Sequence, residues 1–144
     1  MHTVDTKAEV AHKQIASRIA GGLKRRCHHQ IWAPQEVFKA LEHEGTTLGY
    51  KTESRCKSGF RHVNGDIVEA MVMEAKFSES IGMFRSRDIL SLRLICAYNF
   101  RDSRNQFFLE IDGNSESRSE IKGGLWDVFD RIADIMATRL SKSS

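Results

Sequence analysis

The spacing of apolar side chains in the second half of the chain constrains the fold most strongly. From Leu90 to Phe100 alternate residues share an apolar parity, and the same parity returns from Phe107 to Ile111 after a polar turn. Successive side chains of a β-strand point to opposite faces of the sheet, so each segment is a strand with one buried face. Two such strands joined by a short polar turn predict an antiparallel pair.

The chain ends in a segment with helical rather than strand periodicity. Its apolar residues lie on one wide face of a helix, which is enough to dock that helix on a sheet. They are Leu125, Val128, Phe129, Ile132, Ile135, Met136 and Leu140. Residues 113–124, between the second strand and this helix, are polar and rich in Ser, Glu and Gly, which predicts a mobile loop.

Two further helices are predicted near the N-terminus. Thr6 followed by Glu9 forms a capping box, and the helix that it starts, at about residues 6–20, is expected to end at Gly21-Gly22. A second helix starts at Pro34, the only proline, and runs to Glu44 with Gly45 as the stop residue.

The middle of the chain adds a hairpin. Asn64-Gly65 is a strong signal for a two-residue turn, so strands should flank it. Between Asp66 and Phe77 one parity carries apolar residues and the other carries Glu74 and Lys76, which predicts a half-buried strand, and residues 78–87 read as a loop. The apolar residues of that parity are Ile67, Met71, Met73, Ala75 and Phe77. The sequence therefore predicts an α+β fold, an antiparallel meander sheet with helices packed on it and a C-terminal amphipathic helix. Residues 1–21 are expected to form a peripheral helix, and residues 22–144 a single regulatory or interaction domain.

Composition limits the compartment and the class of partner. The three cysteines are an odd number without a CxxC pair, which favours a reducing compartment, the cytosol or the nucleus. There is no apolar run of roughly 20 residues, and residues 1–13 lack the apolar core of a signal peptide. A net charge of +3 is too small to indicate a dedicated nucleic-acid binder.

Four segments together carry a resemblance to a known family. They are residues 22–25 (GLKR) with 34–41 (PQEVFKAL), residues 92–98 (LRLICAY), residues 105–112 (NQFFLEID) and residues 126–132 (WDVFDRI). In this order they resemble the C-terminal regulatory domain of AMP-activated and sucrose-non-fermenting protein kinase α subunits. They are also similar to kinase-associated domain 1, which has an αββββα plan. The resemblance covers roughly residues 22–140, although residues 64–87 match neither pattern.

This resemblance implies a non-catalytic domain that docks a β subunit and, through it, a nucleotide-sensing γ subunit of a kinase heterotrimer. The kinase domain would lie elsewhere in a longer chain, because the Gly-rich loop, strand lysine, HRD and DFG motifs are all missing here. No cofactor and no metal are expected. We single out Trp32, Arg85, Arg87 and Trp126 as candidate partner-binding residues, since exposed Trp and Arg are enriched at interface hot spots.

Three alternatives remain beside this interpretation. A kinase-associated domain 1 implies binding of anionic phospholipids, provided that the basic residues converge on one face. They are Lys24, Arg25, Arg26, Arg55, Lys57, Arg61, Arg85 and Arg87. Asp66, Glu74 and Lys76 match the D…ExK pattern of Mg²⁺-dependent nucleases, but a continuous strand would hold Asp66 about 26 Å from Glu74 at ~3.3 Å per residue. A zinc site could use Cys27, His28 and His29 with Cys56 or Cys96, but it lacks a second ligand pair at finger spacing.

Overall fold

The computed structural model describes residues 6–27, 34–63, 66–99 and 103–140. Two helices come first, α1 (Lys7–Arg26) and α2 (Pro34–Thr47). Five strands follow, β1 (Lys51–Val63), β2 (Asp66–Ser80), β3 (Ser86–Asn99), β4 (Arg104–Ile111) and β5 (Asn114–Ile121), and the described chain ends in α3 (Leu125–Leu140). The predicted α+β class is confirmed.

The five strands form one antiparallel sheet in the order β1-β2-β3-β4-β5, so the chain runs as a simple meander. Val63 pairs with Asp66 at the turn between β1 and β2, and Asn99 pairs with Arg104 at the turn between β3 and β4. The hairpin expected around Asn64-Gly65 is therefore confirmed by its flanking strands, although those two residues lie outside the described part. Strands β1 and β5 are the two edges of the sheet.

The inner face of the sheet and the three helices enclose the main core. The inner-face side chains are the ones whose parity the sequence predicted, and they pack against apolar residues of α1, α2 and α3. From the sheet they include Met73, Ala75, Phe77, Leu90, Leu92, Leu94, Cys96, Phe107 and Leu109. A smaller apolar cluster lies on the opposite, outer face, formed by Ala70, Val72, Ile95, Ala97 and Phe108.

Helix α1 starts as predicted but is longer. The Thr6 side chain accepts a hydrogen bond from the Glu9 amide at 3.2 Å. The expected end at Gly21-Gly22 is wrong, because α1 continues to Arg26. Gly22 serves close packing, since a Cβ there would collide with the carboxylate of buried Glu44.

The expectation of a peripheral first helix is also wrong. Ile19 and Leu23 are completely buried in the main core. Helix α1 lies antiparallel to α3, because His12 bonds Asp134 near the end of α3 while Lys24 bonds Asp130 nearer its start. The apolar face of the amphipathic helix α1 therefore packs against the rest of the protein.

Helix α2 begins at Pro34 as predicted, and Gly45 does not stop it. The helix ends at Thr47, and Gly49 then adopts a φ of 93°, a conformation that favours glycine. At Gly45 an added Cβ would collide with Thr52 and lie 2.8 Å from the ring of Phe77. The absence of a side chain lets α2 touch the sheet.

The predicted mobile loop at residues 113–124 is mostly a strand. Asp112 and Gly113 have φ values of 55° and 70°, as the two central residues of a type I′ hairpin turn require, and β5 follows them. As an edge strand that lies outside the main core, β5 carries polar residues on both faces. The Asp-Gly pair was the sequence signal for this hairpin.

Candidate docking surface

The turn between β2 and β3 presents the most exposed apolar side chains of the described chain. Met83 is 88% exposed and Phe84 is 95% exposed, while Ile81 beside them is 46% exposed. The Ile81 amide donates a hydrogen bond to the Arg85 carbonyl at 3.0 Å, which closes the turn, and Gly82 takes a φ of 106°. We call Ile81, Met83 and Phe84 the apolar tip.

Two of the predicted partner-binding residues lie at the base of this turn. Arg85 and Arg87 are both exposed. Arg87 forms an ion pair with Glu79 across the two strands. The Arg85 guanidinium makes no ion pair or side-chain hydrogen bond with any described residue, so its charge stays uncompensated next to Phe84. The apolar tip was missed in the sequence, because a short apolar run inside a loop has no periodicity.

Trp126 lies in the first turn of α3 and is 38% exposed. The ammonium group of Lys24 lies 5.7 Å from the centre of its ring and 2.7 Å from a carboxylate oxygen of Asp130. This cation–π contact occupies part of the ring. Trp126 therefore stabilises the contact between α1 and α3, and only its remaining surface is open to a partner.

The predicted partner-binding residues do not form one surface. Arg139, in the last turn of α3, donates a hydrogen bond to the Ile89 carbonyl, so this end of α3 lies near the start of β3. Trp126 lies at the other end of α3, roughly 20 Å away at 1.5 Å per residue. Trp32 falls outside the described residues. Of the three that the structure describes, it brings together Arg85 and Arg87.

The basic residues proposed to form a lipid-binding face are separated in the same way. Lys24 lies beside the first turns of α3, whereas Arg85 and Arg87 lie at the opposite end of that helix. Arg55 and Lys57 project from the edge strand β1. Lys24 and Arg87 therefore lie near opposite ends of α3 and do not belong to one basic patch.

A row of alternating charges crosses the outer face of the sheet. Arg55, Glu74, Arg93 and Glu110 are cross-strand neighbours on β1 to β4, and Arg118 of β5 completes the row. Glu74 accepts a hydrogen bond from Arg93 at 3.0 Å, and Glu110 accepts one from Arg118 at 2.9 Å. Glu110 is only 1% exposed, and its second oxygen lies 3.6 Å from Arg93. Arg93 and Arg118 thus compensate the two carboxylates, and Arg55 at the β1 end of the row forms no ion pair with a described residue.

The nuclease-like residues lie along one uninterrupted strand. Strand β2 runs from Asp66 to Ser80, so the backbones of Asp66 and Glu74 are about 26 Å apart at ~3.3 Å per residue. Glu74 is engaged by Arg93, and Lys76 lies 3.8 Å from it. One metal ion cannot bridge Asp66 and Glu74 at this distance. In the described ranges no group of three His, Cys, Asp or Glu side chains is placed to hold a metal.

The three cysteines lie on separate elements. Cys27, at the end of α1, and Cys96, on β3, are buried, whereas Cys56 on β1 is exposed. Burial raises the pKa of Cys96 to about 11, and burial with the nearby Glu36 carboxylate raises the pKa of Cys27 to about 11. Both buried thiols are therefore neutral at physiological pH. His28 and His29, of the proposed zinc site, lie outside the described residues.

Comparison with protein-family models, with curated proteins and with solved structures found no match. Among the described residues, no helix combines the length and the apolar content needed to cross a membrane.

Proposed function

We propose that this chain is a non-catalytic regulatory domain of a serine/threonine kinase α subunit, which docks the β and γ subunits of an energy-sensing heterotrimer. The observation that carries the proposal is the apolar tip with its neighbouring arginine. The residue resemblance supplies the kinase context, and the tip supplies a surface on which a partner could bind.

The exposed apolar side chains of the tip are contiguous. Single exposed apolar residues are common on protein surfaces, but Ile81, Met83 and Phe84 project from one five-residue turn. Burial of a side chain of this size against a partner stabilises a complex by about 1.5–3 kcal/mol. Arg85 adds an uncompensated cation at the rim, where it would select an acidic partner surface.

The order of the elements supports the family context. A helical start, an antiparallel meander and a terminal helix across the sheet agree with the plan that the resemblance implies. The sheet has five strands, one more than the αββββα plan of kinase-associated domain 1. The additional strand, β5, lies at the edge of the sheet opposite β1.

Substitution of the apolar tip tests this proposal. Met83→Ser/Phe84→Ser should leave the fold intact, since both side chains are almost fully exposed. We expect it to weaken binding to candidate β and γ subunits at least about tenfold, measured by isothermal titration calorimetry. Ile67→Ser is the matched control, because Ile67 is 66% exposed on β2 and lies away from the tip. Equal loss in both variants, or loss in neither, would count against the tip as the docking site.

Binding of anionic phospholipid is a second candidate function, favoured by the same turn. An exposed aromatic residue beside a free cation suits the interface of a membrane that carries negative headgroups. Sedimentation with phosphatidylserine vesicles tests this candidate, with phosphatidylcholine vesicles as the control. Binding that requires both Phe84 and the anionic lipid would favour the membrane over a protein partner.

The nuclease alternative has its own direct test. We expect the purified chain to leave plasmid DNA uncut in the presence of Mg²⁺, because Glu74 is bonded to Arg93 and Asp66 lies far along the same strand. Cleavage that disappears in Glu74→Ala would overturn the proposal of a non-catalytic domain.

A further inference from the structure

The geometry points to a peptide-binding edge on β1: we propose that β1 accepts an extended segment of a partner, in which acidic and apolar residues alternate, as a sixth strand. This site lies on a different part of the molecule from the apolar tip. The proposal does not depend on which partner the tip binds.

The first observation is the regularity of the free edge. Strand β1 has 13 residues, and each one pairs with β2 without a register shift from Lys51 to Val63. Within the described chain its other side has no neighbouring strand. Every second residue of an antiparallel strand directs its N–H and C=O away from its partner, so about six residues of β1 can bond a new strand. Natural proteins usually keep an edge strand short, or interrupt it with a bulge or a proline, and β1 shows none of these features.

The second observation is the charge on the outer face of this edge. Lys51, Glu53, Arg55 and Lys57 share one parity, and all four are exposed. Arg55 lies opposite Glu74, whose carboxylate already bonds Arg93, and Lys57 lies opposite Val72. Neither Arg55 nor Lys57 forms an ion pair with another described residue.

These two uncompensated cations select the partner. Like charges directly opposite one another on an antiparallel pair are destabilising, so Arg55 and Lys57 disfavour a strand that carries basic residues at the facing positions. They favour a strand whose outer-face residues are acidic. Because Arg55 and Lys57 are two residues apart, the acids of that strand should also be two residues apart.

The third observation is an apolar groove on the inner side of the same edge. The groove has a volume of about 270 Å³ and is lined by Pro34 and Phe38 of α2, Cys56 of β1, and Met71 and Met73 of β2. It is smaller than the roughly 300–1,000 Å³ of most small-molecule pockets, so it suits apolar side chains of a peptide.

The inner-face residues of β1 leave this groove accessible from the edge. Ser54, Cys56 and Ser58 are small and uncharged, and Cys56 is exposed although it faces the helix side. An added strand would place the residue opposite Cys56 on the inner face and its two neighbours on the outer face. The ligand is therefore defined as acidic, apolar, acidic in an extended conformation.

A synthetic peptide tests the proposal. The probe is a fluorescein-labelled peptide of about nine residues in which Glu alternates with Leu, except for one Ser at the position that faces Glu53. It is long enough to span residues 51–58 at roughly 3.4 Å per residue. The control peptide has the same composition with all Glu residues before all Leu residues. We expect the alternating peptide alone to bind, to bind more weakly as the salt concentration rises, and to slow hydrogen exchange at outward-facing amides of β1.

Two charge variants test whether the peptide binds at β1. Arg55→Glu/Lys57→Glu should weaken the peptide at least about tenfold. Lys7→Glu/Lys122→Glu makes the same change in net charge at exposed positions off β1, and it should bind as the parent does. Met83→Ser/Phe84→Ser should also bind the peptide as the parent does. Loss of subunit docking at the apolar tip can therefore be distinguished from loss of peptide binding at β1.

Several results would overturn the proposal. Equal binding of the two peptides, equal binding by the β1 variant, or protection outside β1 would each do so. Without peptide, protection of both β1 and β5 that rises with protein concentration would show instead that a second copy of the chain covers the edge.

Discussion

Two glycines that lie inside helices should respond to alanine in opposite directions. Gly45 of α2 faces the buried ring of Phe77, and an added Cβ would lie 2.8 Å from that ring and would collide with Thr52. Gly21 of α1 has a free environment, since its added Cβ would meet only Arg25, at 3.4 Å. Both positions gain about 0.5–1 kcal/mol from the better helix propensity of alanine.

The steric term decides the outcome at Gly45. Overpacking of a dense core costs about 1–3 kcal/mol, and Phe77 is completely buried, so its ring has no free space into which to move. The net effect of Gly45→Ala is a loss of roughly 0.5–2 kcal/mol. Gly21→Ala should raise the free energy of unfolding by about 0.5–1 kcal/mol.

Urea denaturation followed by circular dichroism measures both free energies, with the parent chain as the reference. At roughly 3 °C per kcal/mol, Gly45→Ala should melt about 2–6 °C below the parent and Gly21→Ala about 2–3 °C above it. An increase in stability for Gly45→Ala would refute the close contact between α2 and the sheet. A decrease for Gly21→Ala would refute the open environment assigned to that position.

Three other predictions concern the thiols and the buried charge. Cys56 should react quickly with a disulfide reagent, whereas Cys27 and Cys96 should react only on unfolding; fast labelling of two or three thiols would contradict their burial. Because the pKa values of Cys27 and Cys96 are raised to about 11 in the folded chain, only the unfolded chain ionises these thiols between pH 9 and about 11. The free energy of unfolding should therefore fall across that pH range, and it should fall by a smaller amount in Cys96→Ala. Arg118→Ala should lower the free energy of unfolding by about 2 kcal/mol, because it leaves Glu110 with only the longer contact to Arg93, and an unchanged urea midpoint would contradict this role.

The inner strands β2, β3 and β4 were predictable from the sequence, whereas of the two edge strands only the part of β1 beside Asn64-Gly65 was. The parity of β2, β3 and β4 was visible because their inner faces pack under the helices, as Phe77, Leu94 and Leu109 show. Strands β1 and β5 border solvent and carry polar residues on both faces, so hydrophobic alternation could not reveal their full length. For β5 the turn at Asp112 and Gly113 held the missing information.

The helix ends show a second limit of local sequence. Gly22 and Gly45 were interpreted as stop residues, yet both allow close contacts with residues that are distant in sequence or on another element. A glycine that ends a helix and a glycine that admits a neighbour cannot be told apart without that neighbour. The candidate site has the same limit, because Arg85 and Arg87 stood out by charge whereas the exposure of Phe84 depends on the tertiary structure.

The most direct test of the docking role is co-expression with candidate β and γ subunits of an AMP-activated type kinase, followed by size-exclusion chromatography. We predict that the parent chain and Ile67→Ser elute with both subunits in one peak, and that Met83→Ser/Phe84→Ser elutes separately from them. A parent chain that elutes as a folded monomer beside the two subunits would contradict the proposed function.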